Sequence, residues 1–331
     1  MKRKARPLHA GDVVAIVAPS GAVHRESLSR GIKILESWGF RVKVGSSVFN
    51  RYGYLAGTDE ERARDFMTAW EDQEVKGVIA ARGGYGAMRI LPYLDFDMIR
   101  KNPKILLGFS DITALHLALW KETGLVTFHG PVAEVGEEGF LRYNERILRD
   151  VLLGTWPPGH LSLPHENGGE ATANDVQRDT RDPDSREQGL RVLEPGEATG
   201  ELVGGNLSLI ASTIGTRWEL DTRGKILFLE DVGEKPYRVD RMLCQLKLAG
   251  KLDDAAGFCL GDFTDCEPDP GRPSFQVEEV LAQYFRGCGK PCIAGLPAGH
   301  GELRATLPLG VLVRITTSPP SIEFLERALE K

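Results

Sequence analysis

The sequence lacks any hydrophobic run long enough for a membrane or a secretion signal. Its first apolar stretch, 13–18, is short and directly follows Asp12. A membrane helix needs about 20 apolar residues and the core of a signal peptide about 7–15. The basic segment before this stretch therefore does not indicate a signal peptide. We expect a cytoplasmic protein with no membrane association.

Cysteine is scarce, and there is no excess of positive charge. The chain has 5 cysteines with no C-x-x-C spacing, which favours reduced thiols over disulfides or a zinc site. A net charge of -6 offers no general attraction to nucleic acid. The sequence also lacks an H-E-x-x-H motif and any close cluster of metal-ligating side chains. We expect no metal, no cofactor and no nucleic-acid partner.

The first 130 residues alternate short, mainly apolar runs with segments of helical periodicity. Continuous apolar runs are typical of parallel strands that are covered on both faces, so the pattern predicts a doubly wound α/β domain. We expect its strands at 13–18, 40–44, 77–81, 104–107 and 126–129. A capping box at Thr58 and Glu61 predicts the start of one intervening helix, and Gly39 the end of another.

The composition divides the chain into three parts. We expect an N-terminal α/β domain over 1–150 and a linker with a loop over 151–200, because 157–200 is polar and rich in Gly and Pro. A smaller mixed α/β domain over 201–331 completes the chain. In it, Asn206 is predicted to cap a short helix, and the apolar strand 225–229 ends in Glu230 and Asp231.

Small and polar residues follow the predicted strands of the first domain. They include the loop Arg82-Gly83-Gly84-Tyr85-Gly86 and the turn Gly108-Phe109-Ser110-Asp111. Parallel sheets bind ligands beyond the carboxyl ends of their strands, so one pocket is expected there. The glycine loop lacks the G-x-G-x-x-G form of a dinucleotide site. It suits close backbone approach to a substrate, although a tight turn without a ligand has the same composition.

Ser110 lies between a predicted strand and a predicted helix, where serine hydrolases place their nucleophile. The G-x-S-x-G pattern is only partly met, since Ile112 replaces the last glycine. Ser and Asp are also ordinary helix caps, so this turn alone does not decide between the two interpretations. The backbone N–H of Asp111, at the start of the helix, could stabilise an oxyanion beside the serine.

A serine nucleophile needs a base and an acid that orients it. Of the 7 histidines, most are expected to be exposed or structural: His9, His24, His116, His160 and His165. His129, at the end of a strand, and His300, in a glycine-flanked loop, remain as candidates for the base. Glu230 is the better candidate for the acid because it ends a wholly apolar strand, and Asp231 is the alternative. A binding module that uses the same crevice without chemistry also fits these observations.

Several longer stretches carry a family resemblance. They are GDVVAIVAPSG, ARGGYGAMRIL, GFSDIT, GGNLSLIASTIGT, ILFLEDVGEKPYRVDRMLCQL and GLPAGHGELRATLPLG. Together they resemble the LD-carboxypeptidases, a family of serine peptidases, over almost the whole chain. The resemblance implies Ser110 as nucleophile, Glu230 as acid and His300 as base. It also implies the backbone N–H groups of Gly84 and Asp111 as oxyanion donors.

The resemblance further implies a flavodoxin-like N-terminal domain, a site between the two domains, and a homodimer. Arg82 and Asn206 are expected to contact substrate. Most members hydrolyse the bond between an L-configured centre and D-alanine in murein tetrapeptides, whereas a branch related to microcin C immunity proteins cleaves peptidyl-nucleotide amides. The long segment 157–200 resembles that branch but has no Trp or Tyr to hold a nucleobase. We therefore expect a murein peptide as substrate.

Overall fold

The computed structural model of the protein describes residues 2–163 and 189–330. The described chain contains the strands β1 (Val13–Val17), β2 (Arg41–Val44), β3 (Val75–Ala80), β4 (Ile105–Gly108), β5 (Thr127–His129), β6 (Gly159–His160), β7 (Arg191–Glu194), β8 (Glu197–Asn206), β9 (Ile226–Val232), β10 (Gly257–Thr264), β11 (Cys292–Ala294), β12 (Leu307–Leu309), β13 (Leu312–Thr317) and β14 (Pro320–Phe324). Its helices are α1 (Arg25–Ser37), α2 (Asp59–Glu71), α3 (Ala87–Ile90), α4 (Phe96–Lys101), α5 (Thr113–Thr123), α6 (Arg142–Leu152), α7 (Leu207–Thr213), α8 (Pro236–Leu248), α9 (Lys251–Asp254) and α10 (Val277–Phe285).

The first sheet has six strands in the order β12-β5-β4-β3-β1-β2. Strands β1 to β5 are parallel to their neighbours, while β12 pairs antiparallel with β5 at one edge. Strands β1, β4 and β5 are buried along their whole length, because helices cover both faces. The predicted doubly wound α/β fold is confirmed. Its edge strand β12, however, comes from the far end of the chain.

The second sheet has eight strands in the order β6-β14-β13-β8-β9-β10-β11-β7. Its centre, β8 to β11, is parallel, and the outer strands are antiparallel. This is the mixed α/β architecture expected of the C-terminal part. The C-terminal chain thus completes one sheet and builds the other, and side chains from both, such as Phe128 and Phe228, share one hydrophobic core.

The segment expected to be a linker holds part of this second sheet. Strands β6 and β7 lie within 157–200, and β8 begins there. Strand β7 is a four-residue edge strand, Arg-Val-Leu-Glu, with exposed or half-buried side chains, so it lacks the continuous apolar run of a buried strand. The middle of this segment, including His165, lies outside the described residues.

Local signals for helix ends are confirmed. The Thr58 hydroxyl accepts a hydrogen bond from the Glu61 N–H at 3.3 Å, and Glu61 Oε2 accepts one from the Thr58 N–H at 2.8 Å. The Asn206 side chain accepts from the N–H of Leu209 at 3.2 Å and so caps α7. Gly39, just past α1, has a φ of 91°, which favours glycine. All five cysteines are free: Cys259, Cys266 and Cys292 are buried, Cys288 is half-buried and Cys244 is exposed.

Candidate active site

Ser110 occupies a strained turn directly after β4. Its φ is 63°, in the left-handed region that residues other than glycine rarely adopt. Strain of this kind persists only where the surrounding structure enforces it, and it concentrates at functional sites. A Cβ on Gly83 would lie 2.9 Å from the Ser110 Cβ, so only glycine allows this approach. The geometry matches the sharp strand-to-helix turn that exposes a nucleophilic serine.

Asp111 anchors this turn with its buried side chain. Its Oδ2 accepts hydrogen bonds from the Ser20 hydroxyl at 2.6 Å and from the Ala87 N–H at 2.7 Å. Burial raises the pKa of this carboxyl, and these hydrogen bonds oppose the shift. Neither Ser110 nor Asp111 caps the helix that follows, since no side chain caps the short 3-10 turn 110–112 or α5. The helix-cap interpretation of this turn is therefore wrong.

Glu230 and His300 form a hydrogen-bonded pair. Glu230 lies near the carboxyl end of β9 with no exposed surface, and its Oε2 lies 2.7 Å from His300 Nδ1. Burial raises the pKa of Glu230, and the hydrogen bond to His300 acts in the opposite direction. The bond occupies Nδ1 and leaves Nε2 as the ring nitrogen for proton transfer. Gly299, with a φ of 132°, permits the contact, because a Cβ there would lie 2.9 Å from Glu230 Oε2.

The His300 ring reaches the Ser110 turn across the boundary between the sheets. Its centroid lies 4.7 Å from the centroid of Phe109, the residue before Ser110. Strand β8 joins the same region, because the N–H of Asn206 donates to Thr113 Oγ1 at the start of α5 at 3.0 Å. The serine turn, the histidine loop and the end of β8 therefore meet in one region, through Phe109 and Asn206.

The alternative residues do not form a second histidine–carboxylate pair. His129 is buried, and its two ring nitrogens have no partner in the described part of the chain, so no carboxylate orients it. Asp231 accepts a hydrogen bond from Asn206 Nδ2 at 2.9 Å and two from Ser208 at 2.8 and 3.0 Å, which hold the start of α7. His116 bonds to the carbonyl of Gly108 at 2.9 Å, as expected of a structural histidine. Both side-chain groups of Asn206 are thus engaged inside the protein.

The glycine loop lies beside Ser110. Gly84 has a φ of 112°, and among the described residues its N–H has no acceptor. Arg82, in contrast, is held by the protein: its Nη1 donates to the carbonyl of Ala22 at 3.0 Å, and its Nε lies 3.5 Å from Glu134 Oε2. The loop therefore presents the unpaired N–H of Gly84 close to the Ser110 turn, whereas Arg82 is paired within the protein.

Sequence reasoning missed the residues that hold the histidine loop. Asp262 Oδ2 accepts from the N–H of Gly301 at 3.2 Å, and Arg304 Nε donates to the Gly301 carbonyl at 2.8 Å. Asn144, on α6, accepts from the Arg304 N–H at 2.6 Å and donates to the Glu302 carbonyl at 2.9 Å. Burial raises the pKa of Asp262 to about 6. The available signal for Asp262 was an acidic residue just beyond the apolar run 257–260, separated from it only by Gly261.

Within residues 2–163 and 189–330, no three His, Cys, Asp or Glu side chains form a group that could hold a metal ion. In the same residues, no helix has both the length and the apolar character to cross a bilayer.

Comparisons with known proteins agree with this architecture. Residues 14–130 match the LD-carboxypeptidase N-terminal domain, and residues 199–315 match the LD-carboxypeptidase C-terminal domain. A Bacillus subtilis protein, "Probable murein peptide carboxypeptidase", is 41% identical over 316 residues, covering 95% of this chain and 92% of its own.

Two solved structures share the fold. Muramoyltetrapeptide carboxypeptidase from Oxalobacter formigenes has a TM-score of 0.77 and 31% identity, covering 94% of this chain and 97% of its own. The wild-type Microcin C7 self-immunity protein has a TM-score of 0.86 and 27% identity, covering 99% of this chain and 100% of its own. The fold and these matches define a two-domain α/β peptidase. Within that class, the chain belongs to the LD-carboxypeptidase family.

Proposed function

We propose that the chain is a serine LD-carboxypeptidase that releases D-alanine from murein tetrapeptides. The observation that carries this proposal is the 2.7 Å bond between His300 Nδ1 and the fully buried Glu230. The loop that carries His300 packs beside the Ser110 turn. A buried acid, an oriented imidazole and a serine in a strained turn are the components of acyl transfer. Relatives named as carboxypeptidases of murein peptides and muramoyltetrapeptides supply the substrate class.

The mechanism assigns one step to each group. Ser110 Oγ attacks the carbonyl carbon of the scissile amide while His300 Nε2 takes its proton. Glu230 holds the imidazole and stabilises the imidazolium. The N–H groups of Gly84 and Asp111 donate to the oxyanion. His300 then protonates the departing D-alanine amine, and a water molecule, activated by the same imidazole, hydrolyses the acyl-enzyme.

Purified protein incubated with a murein tetrapeptide tests this proposal. Mass spectrometry should detect the tripeptide and free D-alanine. Ser110→Ala should abolish turnover while leaving the thermal unfolding transition in place, and Arg223→Gln, at an exposed surface position, should behave like the unchanged protein. Full hydrolysis by well-folded Ser110→Ala would contradict the mechanism. Ligand binding without turnover or labelling by a fluorophosphonate would instead indicate a binding module.

Cleavage of a peptidyl-nucleotide amide is the second candidate. The likeness to the Microcin C7 self-immunity protein extends over 99% of this chain. That protein has also been solved in complex with aspartyl sulfamoyl adenosine. The same triad would attack either amide. Measuring kcat/KM for a murein tetrapeptide and for an aspartyl-nucleotide amide on one preparation separates the two. A higher value for the nucleotide substrate would reject the murein assignment.

We also propose that the protein works as a homodimer in the cytoplasm, without a metal or an organic cofactor. The proposed murein-recycling reaction and the family resemblance support the location and the assembly. Sedimentation equilibrium measures the assembly, and a single species at the monomer mass of 36.4 kDa would refute the dimer. Activity that survives extensive dialysis against EDTA is the result expected of an enzyme that needs no metal.

A further inference from the structure

A carboxypeptidase must distinguish a chain end from an internal peptide bond. In the proposed mechanism His300 donates its proton to the departing amine, so the terminal residue of the substrate lies on the His300 side of Ser110. The carboxylate of that residue is one carbon away from the amine. A cation that recognises it must therefore lie beside the His300 loop, on the side of the nucleophile that faces away from the oxyanion donors.

Arg304 lies beside the His300 loop and packs on Phe109, the residue before Ser110. Its guanidinium carbon is 5.4 Å from the centre of the Phe109 ring, and the same ring contacts His300 at 4.7 Å. The arginine is fixed at two points, since its N–H donates to Asn144 Oδ1 at 2.6 Å and its Nε to the Gly301 carbonyl at 2.8 Å. The side chain is only half-buried.

The end of this guanidinium is available for a ligand. In the part of the chain that the structure describes, Nη1 and Nη2 of Arg304 take part in no hydrogen bond or ion pair, although Nε does. Arg82 differs, because Nη1 is bonded to Ala22 and Nε faces Glu134. Arg82 also belongs to the glycine loop, on the oxyanion side of Ser110. Of these two arginines, only Arg304 has both Nη1 and Nη2 unpaired and lies beside the His300 loop.

We propose that Arg304 binds the terminal carboxylate of the substrate through Nη1 and Nη2. This inference rests on the proposed function and adds to it the residue that makes the enzyme an exopeptidase. A guanidinium matches a carboxylate with two parallel hydrogen bonds, and these are stronger and more directional than neutral ones. Since Nε and the backbone N–H already hold the arginine, little side-chain freedom is lost on binding.

Two substrates and two variants test the assignment. The substrates are a murein tetrapeptide ending in D-alanine and the same peptide ending in D-alaninamide, which lacks the negative charge. Arg304→Gln keeps a donor near the position of Nε but removes the fork, and Arg304→Lys keeps the charge. Arg223→Gln serves as the control at an exposed site.

The unchanged enzyme should prefer the free acid. Arg304→Gln should lower kcat/KM for the free acid by ~100-fold and should change kcat/KM for the amide by less than ~3-fold. Arg304→Lys should recover part of the loss on the acid alone. Equal losses on both substrates, or no loss on the acid, would overturn the assignment while leaving the proposed function standing. If the unchanged enzyme cleaves neither peptide, both proposals fall.

Discussion

Replacing Asn144 by alanine should impair catalysis although this residue lies outside the proposed triad. Asn144 is buried on α6, and its amide pairs with the Glu302 carbonyl at 2.9 Å and the Arg304 N–H at 2.6 Å. It thus acts as a clamp on the loop that carries His300. Alanine removes both hydrogen bonds and leaves their two backbone partners unpaired.

The size of the effect follows from these two bonds. A hydrogen bond contributes about 0.5–1.5 kcal/mol, and a buried group left unpaired costs about 1–3 kcal/mol. Because the loop is partly accessible to water, we expect the free energy of unfolding to fall by about 2–3 kcal/mol. The loosened loop should misplace the imidazole, so kcat should fall by ~10- to 100-fold with little change in KM.

Urea unfolding and steady-state kinetics on the tetrapeptide measure the two effects. The proton shared by His300 and Glu230 should also give a low-field NMR signal that broadens or shifts in Asn144→Ala. Asn144→Asp keeps the acceptor for Arg304 and should lose less activity, and the exposed Asn50→Ala is the control. If Asn144→Ala lowers stability but leaves kcat and the low-field signal unchanged, the proposed effect of Asn144 on the position of His300 is refuted.

Three further predictions concern the cleft. Gly299→Ala would place a Cβ at an unfavourable φ of 132° and 2.9 Å from Glu230 Oε2. Thermal unfolding should therefore show a free energy of unfolding lower by about 1–3 kcal/mol, and kcat should fall as well. Equal stability would contradict the need for glycine. Ser110→Gly should be more stable than Ser110→Ala by about 1 kcal/mol, because glycine relieves the strain of the left-handed backbone conformation. Calorimetry compares the two variants, and equal melting temperatures would argue against this strain. The pKa of Asp262, about 6 in the fold against 3.8 unfolded, means that the folded state binds more protons between these pH values. Stability should therefore fall by about 1–2 kcal/mol as the pH rises from 4 to 6, after discounting for solvent access, and urea unfolding of Asp262→Asn should lack this decline.

Much of this architecture could be read from the sequence because its signals are local. Mainly apolar runs mark the buried parallel strands, and Ser110 and Glu230 lie just beyond the apolar runs 105–107 and 226–229. The order of strands and the polar edges could not be read. Strand β7 is short and has charged residues at both ends, and β12 joins a sheet whose other strands lie far earlier in the chain.

The candidate site divides in the same way. His300 was recognisable from its glycine-flanked loop and the family resemblance, and its bond to Glu230 matches that expectation. Asn144 and Arg304 were not recognisable, because their hydrogen bond joins positions 160 residues apart. The roles expected of Arg82 and Asn206 remain predictions, since both side chains are held by protein groups.

Strand β12, paired to β5 at Leu307 and His129, has a consequence for biosynthesis. During translation the ribosome makes the first five strands of the N-terminal sheet long before the sixth. Until residue 309 emerges, the edge of β5 stays open to other chains, and an uncovered sheet edge invites aggregation. A gene truncated near residue 163 should therefore yield an insoluble product, and co-expression of residues 189–331 should improve its yield.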